Sequence, residues 1–193
     1  MTLIAVSKTQ PAHAVRPLLA AGERAFGENR VQEAEGKWPS LREEFSNVQL
    51  HLVGQLQSNK ANEAAALFDC IHAVDRPSLV RALARAFDKA GRQVPCFVQV
   101  NIGGEEQKGG CALADLPNLL AEARGAGIPL AGLMCLPPAG MEPAPFFALL
   151  DKLAADRGLP GRSMGMSGDY ETAIMLGATH VRVGTALFGE RVE

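Results

Sequence analysis

A lysine near the start of the chain is the first residue whose type and position indicate chemistry. Lys8 ends the short apolar run IAVS at 4–7, which has the composition of a β-strand. Because side chains alternate along a strand, Ile4, Val6 and Lys8 share a face, and we expect that face to point into the fold. Two interpretations stay open: a surface lysine that buries only its stem, or a desolvated amine able to attack an aldehyde.

A run of small residues, SMGMSGD at 163–169, joins a predicted strand to a predicted helix. Residues this small let backbone N–H groups approach an anion, and the start of a helix adds a favourable dipole. The alternative is a tight turn in which Ser167 or Asp169 caps the helix. We include Met166 and Ser167 among the candidate site residues.

The last predicted strand carries a second candidate group, Arg182-Val183-Gly184-Thr185. By the same alternation, Arg182 and Gly184 face inward. A buried arginine needs a partner, either an acid in an internal salt bridge or an acceptor on a ligand. Barrels of parallel strands often bind phosphate with the loops after their seventh and eighth strands, which is where this group and the run of small residues fall.

Two further segments are more polar than connecting loops usually are. Residues 26–30 (FGENR) follow the second predicted strand and contain Asn29, and residues 51–60 (HLVGQLQSNK) run through the third. We interpret Lys60 as a solvated helix residue. For His51, a hydrogen-bonded core histidine and a site residue both remain possible interpretations.

These groups lie at the ends of short apolar runs that alternate with helical segments. Eight strands are predicted near residues 2–8, 24–28, 48–54, 70–74, 95–102, 129–136, 162–167 and 180–186. The clearest helices are predicted at 77–90, 112–126 and 143–157, and only seven helices are expected to follow the eight strands. The pattern predicts an α/β fold with a parallel sheet. Eight strands in a single domain of residues 1–193 favour a closed (β/α)8 barrel of the TIM type over an open, doubly wound sheet.

Composition limits the class of protein further. With 47% hydrophobic and 21% charged residues, the chain has the balance of a globular domain. Its net charge of −2 does not indicate a nucleic-acid partner, and no apolar run reaches the roughly 18 residues of a membrane span. No signal peptide is evident. The four cysteines lack zinc-ligand spacing, so no metal is expected, and core thiols suit a cytoplasmic protein.

Together, these motifs resemble those of the pyridoxal phosphate homeostasis protein family. The matching segments span the chain in the family's order: AVSKT at 5–9, FGEN at 26–29, HLVGQLQSNK at 51–60, VNI at 100–102, GLM at 132–134, SMGMS at 163–167 and VRVGTALFG at 181–189. The resemblance implies a barrel like the N-terminal domain of alanine racemase, with pyridoxal 5'-phosphate (PLP) as cofactor.

The resemblance also implies roles for individual residues. Lys8 matches the lysine that forms a Schiff base with PLP, the internal aldimine. Arg182 matches the arginine that faces the pyridine nitrogen, and Asn29 matches the asparagine beside the cofactor. The residues that match the phosphate cradle and its surroundings are Met166, Ser167, Gly184 and Thr185.

One feature departs from the family pattern. Members usually carry a helical segment before the first strand, whereas here Met1 and Thr2 lead directly into it. We therefore expect a barrel that lacks this N-terminal helix and exposes an apolar flank. A monomer or weak homodimer is the expected assembly.

The function implied by the resemblance is intracellular PLP (vitamin B6) homeostasis, with the protein acting as a carrier or buffer and apo PLP-dependent enzymes as possible partners. The alternative is a PLP-dependent amino-acid racemase, which needs a second acid/base across the substrate. The one tyrosine, Tyr170, follows the proposed phosphate turn, so no catalytic residue is assigned. A third alternative is an interaction scaffold without a cofactor.

Overall fold

The computed structural model describes residues 1–189 and contains eight parallel strands in sequence order around a closed barrel. The strands are β1 Thr2–Val6, β2 Ala25–Glu28, β3 Gln49–Leu52, β4 Cys70–Val74, β5 Cys96–Val100, β6 Leu130–Cys135, β7 Gly161–Met166 and β8 His180–Val183. The helices that follow them in turn are α1 Ala12–Ala20, α2 Val31–Glu44, α3 Ala61–Leu67, α4 Pro77–Ala90, α5 Leu116–Gly125, α6 Ala144–Ala155, α7 Tyr170–Met175 and α8 Thr185–Phe188. The predicted (β/α)8 barrel is therefore confirmed.

The last strand differs from its prediction. β8 ends at Val183, and Gly184, with φ −120° and ψ −73°, turns the chain into the four-residue helix α8. The predicted strand at 180–186 was thus too long, and the count of seven helices was wrong. The alternation of side chains expected for a strand extends through Thr185 in the sequence. Gly184 and Thr185 are compatible both with a strand and with the turn that ends one.

Two predicted helices are shorter than expected. Residues 112–115 form a turn before α5, which begins at Leu116 with a proline in its first turn. Similarly, α6 runs from Ala144 to Ala155 rather than over 143–157. By contrast, α4 covers residues 77–90 as predicted, and Gly91, in the left-handed conformation with φ +60°, ends it.

The core has two layers, as the alternation along the strands predicts. The outer layer packs the outward faces of the strands against the helices and includes Ala5, Phe26, Trp38 and Val98. A small inner cluster within the barrel consists of Cys70, Phe97 and Met134. Other interior positions carry polar side chains, among them His51, His72 and Ser163, and these need hydrogen-bond partners there.

Closure of the barrel joins the two ends of the chain. β1 pairs in parallel with β8, with Ile4 opposite Arg182 and Ala5 opposite Val183. The carboxyl ends of both strands therefore open at the same end of the barrel, the end at which barrels of this type place their functional sites. Within the described residues, no helix is long and apolar enough to cross a membrane.

Candidate functional site

A cavity of about 300 Å³ opens at the carboxyl end of the strands, and we call it the upper cavity. Its size is at the lower end of the range for small-molecule sites, about 300–1,000 Å³. All seven residues proposed from the sequence line it: Lys8, Asn29, Met166, Ser167, Arg182, Gly184 and Thr185. The fold thus brings together groups from opposite ends of the chain.

Lys8 lies two residues beyond β1, half-buried, in a segment that α2 holds in place. The Lys37 ammonium donates to the carbonyl oxygens of Ser7 (2.8 Å) and Gln10 (2.9 Å), on either side of Lys8. The next residue, Thr9, has a left-handed backbone with φ +65°, a conformation that is costly for a β-branched side chain. The Thr9 N–H donates to the Glu33 carboxylate.

Lys37 is itself held by a buried acid. The Glu28 carboxylate oxygen Oε1 lies 2.7 Å from the Lys37 ammonium, and the two side chains are 0% and 7% exposed. The same oxygen accepts hydrogen bonds from the Ser7 hydroxyl (2.7 Å) and the Trp38 indole (2.9 Å). This cluster fixes the ends of β1 and β2 against α2, and so fixes the backbone from which Lys8 projects.

Sequence reasoning did not find this pair. Glu28 belonged to a segment noted as unusually polar, but Lys37 lies in the middle of a helix rich in charged residues, where a lysine is usually solvated. The available signal was the position of Lys37 next to Trp38, since both residues lie on the part of α2 that is buried against the barrel.

Ser167 and the start of α8 form a set of hydrogen-bonding groups on one side of the upper cavity. The Ser167 hydroxyl oxygen accepts from the backbone N–H groups of Gly184 (3.2 Å) and Ala186 (3.3 Å). A Cβ on Gly184 would lie 3.2 Å from the Val6 carbonyl oxygen, so a larger residue is crowded there. Small residues, a hydroxyl and convergent amides are the features that a phosphate group requires.

The turn before α7 differs from the capping alternative. Asp169 occupies the position before the helix, but its carboxylate accepts from the Met166 N–H at 2.6 Å, and no capping hydrogen bond to α7 is made. Ser167 does not cap the helix either, because its hydroxyl turns toward Gly184 and Ala186.

Arg182 is buried, with 4% of its surface exposed, yet it contacts the upper cavity. Its guanidinium donates to the Ser163 hydroxyl (2.6 Å) and to the Cys135 carbonyl oxygen (2.8 Å). Within residues 1–189 it forms no salt bridge, so the internal ion pair considered from the sequence is not formed. Burial lowers the pKa of Arg182 to about 10, which leaves it cationic at neutral pH and able only to donate hydrogen bonds.

Asn29 reaches the cavity because the opposing residue has no side chain. A Cβ on Gly54 would lie 2.3 Å from the Asn29 carbonyl oxygen and 2.7 Å from its Cα. Gly54 therefore permits the loop after β3 to approach the loop after β2 closely, which sets the position of Asn29.

A second set of polar side chains lies in the amino-terminal half of the barrel. His72 is stacked on Phe97, with ring centroids 4.4 Å apart, and its Nδ1 lies 2.8 Å from the Ser163 hydroxyl. Its Nε2 lies 3.0 Å from Nδ1 of His51.

Burial lowers the pKa of His51 to about 4 and lowers that of His72 as well, so both rings are neutral at pH 7. The core interpretation of His51 is therefore half confirmed: Nδ1 is bonded, but its buried Nε2 has no partner among the described residues.

The chain matches a family model described as the alanine racemase N-terminal domain over residues 1–192. Among curated relatives, the pyridoxal phosphate homeostasis protein of Pseudomonas aeruginosa is 46% identical, over 98% of this chain and 84% of the relative. The protein of the same name from Escherichia coli is 40% identical, over 99% of this chain and 86% of the relative. The chain belongs to the alanine racemase N-terminal domain family and, within it, to the pyridoxal phosphate homeostasis proteins.

Solved structures agree with this assignment. The structure of PipY from Synechococcus elongatus with PLP bound is 40% identical, with a TM-score of 0.91, and the alignment covers 98% of this chain and 92% of that one. An alanine racemase of Clostridium difficile matches with a TM-score of 0.77 at 12% identity, over 53% of its own length. This second likeness concerns the barrel fold alone.

The buried pair beneath Lys8 leads to a test of stability. Lys37→Met leaves the Glu28 carboxylate buried without its counter-charge, so we expect the free energy of unfolding in urea to fall by about 3–5 kcal/mol. The double variant Glu28→Gln/Lys37→Met should regain much of this loss because no lone charge stays buried. As a control, Lys89→Met at the exposed end of α4 should change stability by less than about 0.5 kcal/mol. A loss of under about 1 kcal/mol for Lys37→Met, the value of an exposed ion pair, would contradict this account.

Proposed function

We propose that this protein binds PLP in the upper cavity, covalently through Lys8, and acts in PLP homeostasis as a carrier or buffer. The observation that carries the proposal is the convergence of an amine, a buried guanidinium and a cradle of amides and hydroxyls on one cavity. The homologous PipY structure with PLP bound supports the choice of ligand. When bound, PLP supplies an aldehyde that condenses with a primary amine.

The residues of the cavity suit the three parts of this ligand. Lys8 lines the cavity and offers a primary amine, the group that condenses with an aldehyde. Ser167, Gly184 and Thr185 suit the phosphate, helped by the Ala186 amide. Arg182 suits the pyridine nitrogen, to which it can only donate a hydrogen bond.

The same arrangement argues against a racemase. Racemisation needs acid/base groups on both faces of the substrate carbon, but Lys8 and Arg182 are the only ionisable side chains among the described residues that line the cavity. Tyr170 does not line it, and its hydroxyl lies 3.5 Å from the Glu171 carboxylate. A guanidinium at the pyridine nitrogen also favours the unprotonated ring, which is the weaker electron sink.

The proposal includes a cytoplasmic location, a monomer or weak homodimer, and transfer of PLP to apo-enzymes. The exposed side chains Ile174, Met175 and Leu187 on α7 and α8 support weak self-association.

The aldehyde-binding role of Lys8 has a direct test. Lys8→Ala should abolish the near-visible absorption band of the PLP-loaded protein, and borohydride should no longer fix the cofactor to the chain. Lys108→Ala is the control, because the Lys108 ammonium is bonded to the Pro137 carbonyl oxygen and to Glu105 and does not line the cavity. Retention of the band in Lys8→Ala after dialysis, with PLP fixed on another lysine, would exclude Lys8.

The phosphate cradle is tested by removing one hydroxyl. Ser167→Ala should weaken PLP binding by about 1.5–3 kcal/mol, the value of a charge-assisted hydrogen bond, which is at least tenfold in affinity. The band should still form at saturating PLP. Ser46→Ala, at an exposed loop position, should leave the affinity unchanged. Wild-type protein should bind pyridoxal much more weakly than PLP, and equal affinities would mean that no anion site is present.

The choice between carrier and racemase is tested by exchange of the α-proton. In heavy water, the PLP-loaded protein should incorporate deuterium into alanine and other amino acids no faster than Lys8→Ala with free PLP. Turnover near the median enzyme rate of about 10 per second would establish the racemase instead. Chiral chromatography of the recovered amino acids distinguishes racemisation from exchange with retention.

A further inference from the structure

The amino-terminal end of the barrel contains a second cavity, of about 350 Å³, which we call the lower cavity. Its rim includes the exposed residues Gln49 and Pro160, and its wall includes His51, Cys70 and His180. It lies at the opposite end of the barrel from Lys8, and the proposed function uses none of its residues.

Two residues in the wall of this cavity, His51 and Cys70, have metal-binding atoms close to one on the buried His72. One ligand atom from each of His51, Cys70 and His72 lies within 4.8 Å of the other two, and all three residues are buried. The topology explains the convergence, because Cys70 and His72 are two residues apart on the inward face of β4, and Cys70 pairs with His51 of the adjacent strand β3. Neither CxxC nor histidine–cysteine ligand spacing was recognised in the sequence, because Cys70 and His72 come together with His51 only through the pairing of β3 with β4.

We propose that His51, Cys70 and His72 form a site for a borderline-soft cation, of which Zn²⁺ fits best. With Zn–N near 2.0 Å and Zn–S near 2.3 Å, neighbouring ligand atoms of a tetrahedral zinc lie about 3.5 Å apart. The two imidazole nitrogens are already 3.0 Å apart, so shifts of about an ångström bring the three atoms into range. Two imidazoles and a thiolate favour Zn²⁺ over Mg²⁺ or Ca²⁺, which prefer oxygen ligands.

The surroundings of the three ligands also suit a metal. His72 Nδ1 lies 2.8 Å from the Ser163 hydroxyl, and a ligating histidine usually donates its second N–H to such a group. Ser163 is fixed in turn by Arg182 at 2.6 Å. Phe97, stacked on His72, supplies an apolar wall. The lower cavity offers room for a fourth ligand, and the His180 ring in its wall stands 6.2 Å from that of His51, centroid to centroid.

His51 also has hydrogen-bonding capacity that the described residues leave unused. It is only 5% exposed, yet its Nε2 has no hydrogen-bond partner among the described residues, and an unsatisfied buried polar atom is costly. A metal bond at Nδ1 would place the single hydrogen of the neutral ring on Nε2, and His51 lines the lower cavity.

Cobalt and zinc titrations of the full chain as purified test the proposal. Co²⁺ should bind at one ion per chain and give visible d–d bands of four-coordinate intensity together with a thiolate-to-cobalt charge-transfer band. Zn²⁺ should displace it, and an excess of Mg²⁺ should not. Cys70→Ser should abolish the charge-transfer band, and both Cys70→Ser and His51→Gln should weaken Zn²⁺ binding at least about tenfold.

Matched controls are a buried thiol and a histidine outside the cluster. Cys111→Ser and His13→Gln should leave the spectrum and the affinity unchanged, since neither residue lies in the cluster. Should a cluster variant fail to fold, alkylation of wild-type protein decides: Zn²⁺ should protect Cys70 from N-ethylmaleimide, as read by peptide mass mapping. Absence of saturable 1:1 binding, a charge-transfer band that persists in Cys70→Ser, or unprotected Cys70 would overturn the proposal.

Discussion

Closure of the barrel between β1 and β8 is the constraint on which the candidate site depends. Lys8 and Thr185 belong to opposite ends of the chain, and they line one cavity because parallel pairing sets Ile4 against Arg182. In an open sheet, the first and last strands can lie at opposite edges. The pairing also fixes which groups oppose one another: the amine emerges from the end of β1, and the guanidinium and the amides come from β8 and the turn after it.

Closure alone does not position Lys8, since that residue lies beyond the last hydrogen-bonded pair of β1. The backbone there passes through Thr9 with φ +65°, and a conformation of this kind costs on the order of 1–3 kcal/mol. Contacts from α2 offset this cost: Lys37 binds carbonyl oxygens on both sides of Lys8, and Glu33 accepts the Thr9 N–H. These contacts hold the backbone beside Lys8 in place because Lys37 is itself fixed by Glu28. The Glu28–Lys37 pair is buried and hydrogen-bonded, and an internal ion pair of that kind has a well-defined geometry.

The sequence predicted those parts of the structure that depend on local period and on motif. Alternation along β1 and β8 correctly placed Lys8 and Arg182 toward the interior, and the order of strands and helices predicted the closed barrel. The seven proposed site residues lie within motifs that resemble the family, and all of them line the upper cavity. The end of β8 was harder to predict from the sequence. The strand stops at Gly184 because of its backbone conformation, which a glycine permits but does not require.

Contacts between distant segments were not predictable in this way. The burial of Lys37 depends on how α2 packs against β2, and a lysine in a helix is usually solvated. The meeting of His51 with His72 depends on the β3–β4 register, in which His51 pairs with Cys70. A single sequence specifies which residues face inward, but it does not state the offset between neighbouring strands. For that reason the buried pair and the histidine–cysteine cluster emerged only from the three-dimensional structure.

The polar interior of the barrel connects the two cavities. From the upper cavity, Arg182 donates to Ser163, Ser163 contacts His72, and His72 contacts His51 at the lower cavity, through distances of 2.6, 2.8 and 3.0 Å. An apolar filling of these positions avoids the cost of desolvating an arginine and two imidazoles. With polar side chains at these positions, the Arg182 guanidinium contacts the upper cavity, and His51 lines the lower cavity with its Nε2 unpartnered among the described residues. Because a neutral imidazole carries one N–H, the role of His72 toward Ser163 sets its role toward His51. Ser163 is the residue that the two ends of the barrel share, because its hydroxyl contacts both the Arg182 guanidinium and the His72 ring.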